Sequence, residues 1–395
     1  MSDPAPRSRR WRRWIAVALG AALLAAGLRW LWPAQAGDAA PRADAEVPAP
    51  PPEAPPPLPA ADDPALPEAV RRYLEANVYP PSSGRLSPDD EGLLHPNRRY
   101  ERYRPIRDSF RDGAASGVSF LLTADRYDVT GGDDVAVWLE ARRGDAPHPL
   151  RSVEASVVRE GRAGVEGEPV PVDFRETRER WEASLPIDDP ALADHHGHLL
   201  LAARFEYAPG KLHEDSLRFF HTPEDLVPAR FDGRFLDYVR DGNLRVEVGV
   251  DVARAGFFRF DANFYDASGE PVAFVAFKGE LPEGSVGVPL ELFGKVLRDA
   301  GAPGPYTIGE LRGYRFVDGA FPDRETIPGP APSWTVGRYD LGEFGDAPYE
   351  SEHKRRMVEL MLEDEAAGIP LDVPPIAGVA PSGETPVAPA GEAPR

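Results

Sequence analysis

Between residues 118 and 221 lie several segments in which apolar and polar side chains alternate, the period of a half-buried strand. The segments that carry it are Val118 to Ala124, Asp134 to Ala141, Val153 to Arg159, Trp181 to Leu185, His198 to Tyr207 and Ser216 to His221. In the second of these, Val135, Val137 and Leu139 face one way while Ala136, Trp138 and Glu140 face the other. Thr130-Gly131-Gly132-Asp133 offers the residue types that hairpin turns require. Short strands spaced by turn signals, with no strand–helix–strand unit, predict a sandwich of immunoglobulin type.

A second alternating block opens near Phe231. Leu244, Val246, Val248 and Val250 share one face, as do Phe258, Phe260, Ala262 and Phe264, and the turn Asp266-Ala267-Ser268-Gly269 leads into Pro271 to Phe277. Further strands are expected at Tyr306 to Ile308, Leu311 to Val317 and Trp334 to Tyr339. Helical spacing occurs at Leu66 to Asn77, with Val70, Tyr73 and Leu74 on one stripe and Tyr79-Pro80-Pro81 as the stop. It recurs at Glu352 to Ala367, with Met357, Leu360 and Met361 on one face. The predicted fold class is all-β: two tandem antiparallel β-sandwich (Ig-like) domains at 118–225 and 226–345, closed by a helix within 346–368.

The N-terminal residues follow neither rhythm. In residues 1–13, Arg7, Arg9, Arg10, Arg12 and Arg13 precede an apolar run from Trp14 to Leu28, and Trp30, Leu31 and Trp32 follow after Arg29. A spanning helix needs about 20 mostly apolar residues. Residues 14–32 suffice if Arg29 reaches to the interface, with Trp14, Leu24, Leu28, Trp30 and Trp32 as the anchoring side chains. The arginine cluster predicts a cytoplasmic N-terminus, hence a single-pass inner-membrane protein with its β domains in the periplasm or exterior. The competing expectation is a signal peptide cut near Ala36, since Ala34-Gln35-Ala36 suits a signal protease, which would leave a secreted protein. The bulky, charged Arg29-Trp30-Leu31-Trp32 stretch favours the anchor.

Residues 33–67 are Pro/Ala-rich, with Pro50-Pro51-Pro52 and Pro55-Pro56-Pro57, and predict an extended linker rising about 3.1 Å per residue. Residues 369–395 have the same character and predict a disordered tail. Between linker and first sandwich, residues 68–117 hold the short helix and an irregular strap with Pro88, Pro96, Arg98, Arg99, Arg102 and Arg104, expected to lie against the first sandwich.

Composition narrows the chemistry. A net charge of −20 argues against nucleic acid, whose phosphates call for clustered Lys and Arg. The chain has no cysteine, which excludes disulfides, thiolate nucleophiles and thiolate-bound zinc. No P-loop, His-Glu-x-x-His, G-x-G-x-x-G or nucleophile elbow occurs, and Gly113-Ala114-Ala115-Ser116-Gly117 has the wrong spacing for the last. No cofactor is expected.

His195, His196 and His198 form the densest set of possible metal ligands, with Asp188, Asp189 and Asp194 nearby. The plainer reading is a solvated turn entering a strand. His213 and His221 are isolated and expected at the surface or an edge. Asp261, Asn263 and Asp266 approach a calcium loop but miss its spacing, so Asp261 and Asn263 are expected on the polar face of a strand. Trp138, Trp181 and Trp334 each fall in a strand, where a tryptophan fills the core or offers a platform to a sugar or protein. The basic segment Arg98 to Arg107 would dock on the acidic domains or on an acidic partner.

A run of residues in the second block carries a family likeness. Asp241-Gly242-Asn243-Leu244 is followed by Gly256-Phe257-Phe258-Arg259-Phe260, Phe264-Tyr265-Asp266, Gly269 and Pro271-Val272. Val288-Pro289-Leu290, Phe293-Gly294 and Gly304-Pro305-Tyr306 come before Ile308 and Leu311. From Phe231 to Asp340 this resembles the choice-of-anchor X type of domain, a β-rich module of bacterial surface and envelope proteins. The resemblance implies an extracytoplasmic accessory module and carries over no catalytic residue. The first domain resembles Ig-like or macroglobulin-type sandwiches in strand rhythm. The expected function is a non-catalytic, membrane-tethered envelope protein that contacts other envelope proteins. The alternatives are a carbohydrate- or metal-binding module and an envelope hydrolase.

Overall fold

The computed structural model describes residues 56–97, 102–108, 114–329 and 333–369. The chain divides into Met1–Pro57 and Leu58–Arg395, and the elements described below lie in the second unit. Trp14, Leu24, Leu28, Trp30 and Trp32 lie outside the described residues. Among the described residues no helix is long and apolar enough to cross a membrane.

The second unit begins with α1 (Glu68–Ala76), β1 (Ser83–Arg85), α2 (Glu91–Leu94) and β2 (Arg104–Asp108). The alternating region then forms β3 (Ala114–Ala124), β4 (Asp128–Thr130), β5 (Ala136–Arg143), β6 (Ala146–Pro147) and β7 (Ser152–Gly161). It continues with β8 (Gly164–Pro171), β9 (Arg175–Glu176), β10 (Trp181–Ser184), β11 (Gly197–Ala208) and β12 (Lys211–Thr222). One sheet has the order β2-β3-β5-β10-β9, with β6 on β5, and the other β4-β12-β11-β7-β8. Val137 and Leu139 of β5 share a core with Leu199, Leu201 and Phe205 of β11 and Phe219 of β12. Tyr127 stacks on Phe219 with ring centres 5.4 Å apart. Burying each such side chain contributes about 1.5–3 kcal/mol, so the alternating face is what drives the layers together.

The Thr130-Gly131-Gly132-Asp133 turn does not close a hairpin. β4 runs parallel to β12 in one sheet while β5 belongs to the other, so the turn crosses between layers. Its geometry still uses the expected residues: Gly131 has φ +57°, and the Thr130 amide donates to Asp133 Oδ2 at 3.3 Å. β8 shows no alternation because it is an edge strand with only Val170 buried.

The second sandwich comprises β13 (Ala229–Arg240), β14 (Asn243–Val252), β15 (Gly256–Tyr265), β16 (Pro271–Leu281), β17 (Gly284–Leu292), α3 (Gly294–Ala300), β18 (Thr307–Phe316), β19 (Arg324–Ile327) and β20 (Trp334–Thr335). A three-stranded sheet β13-β14-β17 shares a core with the sheet β1-β16-β15-β18-β19, on which β20 pairs with β18. Phe258, Phe260 and Phe264 of β15 meet Val246, Val248 and Leu290 there. The two strands expected at 306–308 and 311–317 are one strand, β18, broken by a bulge. Asp261 pairs with Arg312 and Asn263 with Gly309, so Glu310 and Leu311 together oppose Ala262. The extra residue shifts the alternation by one, which split the pattern in two.

The strap differs from expectation. β1 joins the second sandwich, with Ser83 opposite Val275, while β2 joins the first, with Arg104 opposite Phe120. The described parts of the strap are therefore divided between the two sandwiches. The end of the Pro-rich linker is also built into the fold: Leu58, Ala61 and Leu66 pack on a small cluster made by Val70 and Leu74 of α1 with Val358 and Met361 of α4 (Glu352–Ala366). Val358 takes the inward place expected for Leu360, which is exposed, because Lys354, Val358 and Met361 share the stripe facing α1.

Candidate functional site

The histidines sit where the two sandwiches meet. Each ring faces a backbone carbonyl, so each must present an N–H there. His195 Nε2 donates to His198 O at 2.9 Å, His196 Nε2 to Arg324 O at 2.9 Å, and His198 Nδ1 faces Phe219 O at 3.4 Å. The rings are thus spent on separate carbonyls and do not converge. Among the described residues no three His, Asp or Glu side chains come together as a metal-holding set. Burial pushes all three imidazoles below the ordinary histidine value, against the pull of their carbonyl bonds. His221, expected at an edge, is fully buried, with Nδ1 2.7 Å from His195 O and Nε2 3.1 Å from Gly131 O. Burial again lowers its pKa, opposed by the two carbonyls and Asp133. His213 is half-buried against Phe120 and Phe205.

These rings belong to a polar join. His196 reaches from the loop before β11 to the backbone of β19. Thr326 of β19 donates its amide to Thr222 Oγ1 at 3.1 Å, and the two hydroxyls meet at 2.8 Å, both residues buried. Arg324 lies over the ring of Phe220 at 4.4 Å. Behind them Glu325 is buried between Arg315, whose Nε is 2.8 Å away, and Arg254 at 3.3 Å. A buried carboxylate with two guanidinium partners meets the condition under which burying charge is tolerated.

Beside the join lies a cleft of about 400 Å³ between the sandwiches, roofed by the strap at Leu93, Pro96 and Asn97. The strap is pinned on both sides. Asn97 Oδ1 accepts from the amides of Tyr127 at 2.6 Å and Asp128 at 2.8 Å, and Asn263 Nδ2 donates to Leu93 O at 2.7 Å. Asp261 and Asn263 do lie on the face of β15 opposite the phenylalanines, but this face is buried, not solvated. Asp261 accepts from Arg259 Nε at 2.9 Å. Burial pulls the Arg259 guanidinium down, yet its bond to Asp261 leaves it above its ordinary value. Asp266 stands apart in its turn, where Oδ1 caps the Ser268 amide at 2.8 Å. Glu310 holds a left-handed conformation, φ +49°, at the bulge, which directs Arg312 into the cleft, where its Nη1 donates to Glu310 O at 2.9 Å. Burial lowers the Arg312 pKa. Periodicity gave no role to Arg312 or Glu310 and placed His221 at the surface or an edge; the broken alternation around residue 310 was the one signal that pointed to the cleft.

The tryptophans divide. Trp181 packs against the first core, and Trp334 against the second, stacked on Phe235 at 5.0 Å. Trp138 points outward beside a groove of about 620 Å³, but Arg180 lies 4.7 Å over its ring and is held by Glu182 at 2.7 Å. That ring face is therefore already covered. In the basic segment, Arg104 forks onto Asp215 of β12 and lies 4.8 Å over Phe120, an intramolecular docking.

No model of a known protein family matches this chain, and no curated protein does. Among solved structures, a DUF4785 family protein from Legionella pneumophila is similar at 16% identity and a TM-score of 0.37, over 56% of this chain and 57% of that one. A DUF3823 family protein from Parabacteroides merdae is similar at 14% identity and 0.21, over 47% and 87%. Trypsin-activated alpha-2-macroglobulin from Escherichia coli is similar at 13% and 0.20, over 53% and 15%. The chain spans little more than half of the first of these.

Proposed function

We propose that this is a non-catalytic envelope protein, tethered to the inner membrane by residues 14–32, whose two sandwiches act as one rigid module for contacts with other envelope proteins. The observation that carries the reading is the join itself. The polar side chains best suited to chemistry, His195, His196 and His221, are spent on backbone carbonyls, and the bond of His196 to Arg324 O crosses from the first sandwich to the second. Shared edge strands β1 and β2 reinforce the lock. The resemblance of residues 231–340 to choice-of-anchor X domains supports an extracytoplasmic accessory role. The arginine-led apolar segment before the Pro-rich linker supports the tether.

The test is crosslinking in intact cells of a C-terminally tagged chain, with the mass of its N-terminus measured in parallel. Retention of residues 1–36 together with specific envelope-protein crosslinks is the expected result. Cleavage near Ala36 with no specific crosslink would replace this reading with a released carbohydrate- or metal-binding protein.

A further inference from the structure

Among the described residues, charged side chains line the inter-sandwich cleft in equal numbers of each sign, but only half of them pair. Arg126 meets Asp133 at 3.4 Å and Arg259 meets Asp261 at 2.9 Å. Arg312 and Arg324 have no carboxylate oxygen within 4.0 Å among the described residues, and Asp128 and Glu310 have no cationic nitrogen within that distance. A guanidinium has five N–H donors, and the carbonyl of Glu310 uses one of those on Arg312. The left-handed backbone at Glu310 keeps that arrangement in place at a cost that a plain strand would avoid.

Opposite charges facing one cavity without meeting each other make a receptor for a ligand that carries both. We propose that the cleft binds a small zwitterion, with a carboxylate on the Arg312 fork and an ammonium on the Asp128 side, of the size of an amino acid or dipeptide. The balanced wall disfavours dianions and dications alike, because either would leave one pair of wall charges facing its own sign. The strap supplies backbone and the Asn97 anchor as a roof, so the ligand would be held between sandwiches, where binding sites favour domain junctions. This inference does not depend on the tether or on envelope partners.

Titration calorimetry on the full-length protein, with glycine, glycylglycine, sodium acetate and ethylammonium chloride as probes, tests it. One of the two zwitterions is expected to saturate a single site at millimolar concentration, and both half-ligands to bind at least about tenfold more weakly. Tighter glycine would assign a free amino acid, and tighter glycylglycine a peptide. Arg312→Lys keeps charge and stem but loses the fork, and is expected to weaken the zwitterion about ten- to hundredfold. Asp128→Asn is expected to weaken the zwitterion while leaving acetate unchanged. Both variants are compared with wild type by melting temperature, so that lost binding is not mistaken for lost folding. Absence of a saturable heat with either zwitterion, acetate binding as tightly as the zwitterion, or a folded Arg312→Lys that binds unchanged would overturn the proposal.

Discussion

At Gly294 a methyl group has no room. An added Cβ would lie 2.0 Å from the carbonyl oxygen of Gly242 and 2.7 Å from the amide nitrogen of Gly345, both backbone atoms that cannot turn aside. Gly294→Ala is expected to lose about 1–3 kcal/mol, read as a lower melting temperature, while Gly342→Ala, where a Cβ meets nothing within 4 Å, stays near wild type. Equal melting of the two variants would mean that the turn relaxes freely. The histidines set the pH response. His195, His196, His198, His213 and His221 are each held below the ordinary histidine value, chiefly by burial. The unfolded chain therefore takes up protons at a higher pH than the folded one, and stability rises with pH through this window. It should be fully present above the unfolded value and decline as pH falls below it. Urea midpoints at about pH 7.5 and about pH 5.5 check this, and a midpoint that does not fall at the lower pH would contradict it.

At the scale of elements, the terminal helices depend on one buried cation. Lys354 is almost inaccessible, and its Nζ donates to Asn77 O at 2.7 Å and Tyr349 O at 2.9 Å, while burial lowers its pKa. Lys354→Ala leaves those carbonyls bare and should cost about 1–3 kcal/mol. Hydrogen exchange is expected to quicken in α1 and α4 together and to leave β14 protected; loss of protection in α4 alone would show that the helices are not coupled. The strap offers a parallel case. Removing the Asn97 acceptor by Asn97→Ala should expose the amides of Tyr127 and Asp128 to faster exchange with little change elsewhere. Both effects were out of reach of periodicity, since Asn97 and Lys354 act through partners 30 and 277 residues away.

For the whole molecule, the join decides whether the sandwiches unfold as one. Thr222 and Thr326 are buried against each other and His196 reaches across to Arg324 O. Calorimetry of the wild type is expected to give a single transition. Thr222→Val combined with His196→Ala strips the join of its hydrogen bonds, each worth about 0.5–1.5 kcal/mol net and more where a buried partner is left bare. That variant should show two transitions. A single unshifted transition would mean that the shared strap, through β1 and β2, couples the sandwiches without the join.

Much of the architecture was legible in the order of residues, because a strand with one buried face writes itself as alternation. β5, β11, β14 and β15 could be read directly from Val137 and Leu139, Leu199 and Leu201, Val246 and Val248, and Phe258 and Phe260. The terminal helices were legible for the same reason at a different period. Edge strand β8 and the exchange of strap strands were not, since an exposed edge has no pattern and pairing partners lie far apart in sequence. The site followed the same division. Sequence alone determined that this chain lacks thiols, phosphate loops and nucleophile elbows, and that its histidines cluster. Only the tertiary structure decided that one of those histidines, His196, reaches across to the second sandwich, that a bulge at Glu310 turns Arg312 into a cleft, and that charges of both signs remain unpaired there among the described residues. Backbone carbonyls, burial and distance govern those outcomes, and none of them is a property of a residue's type.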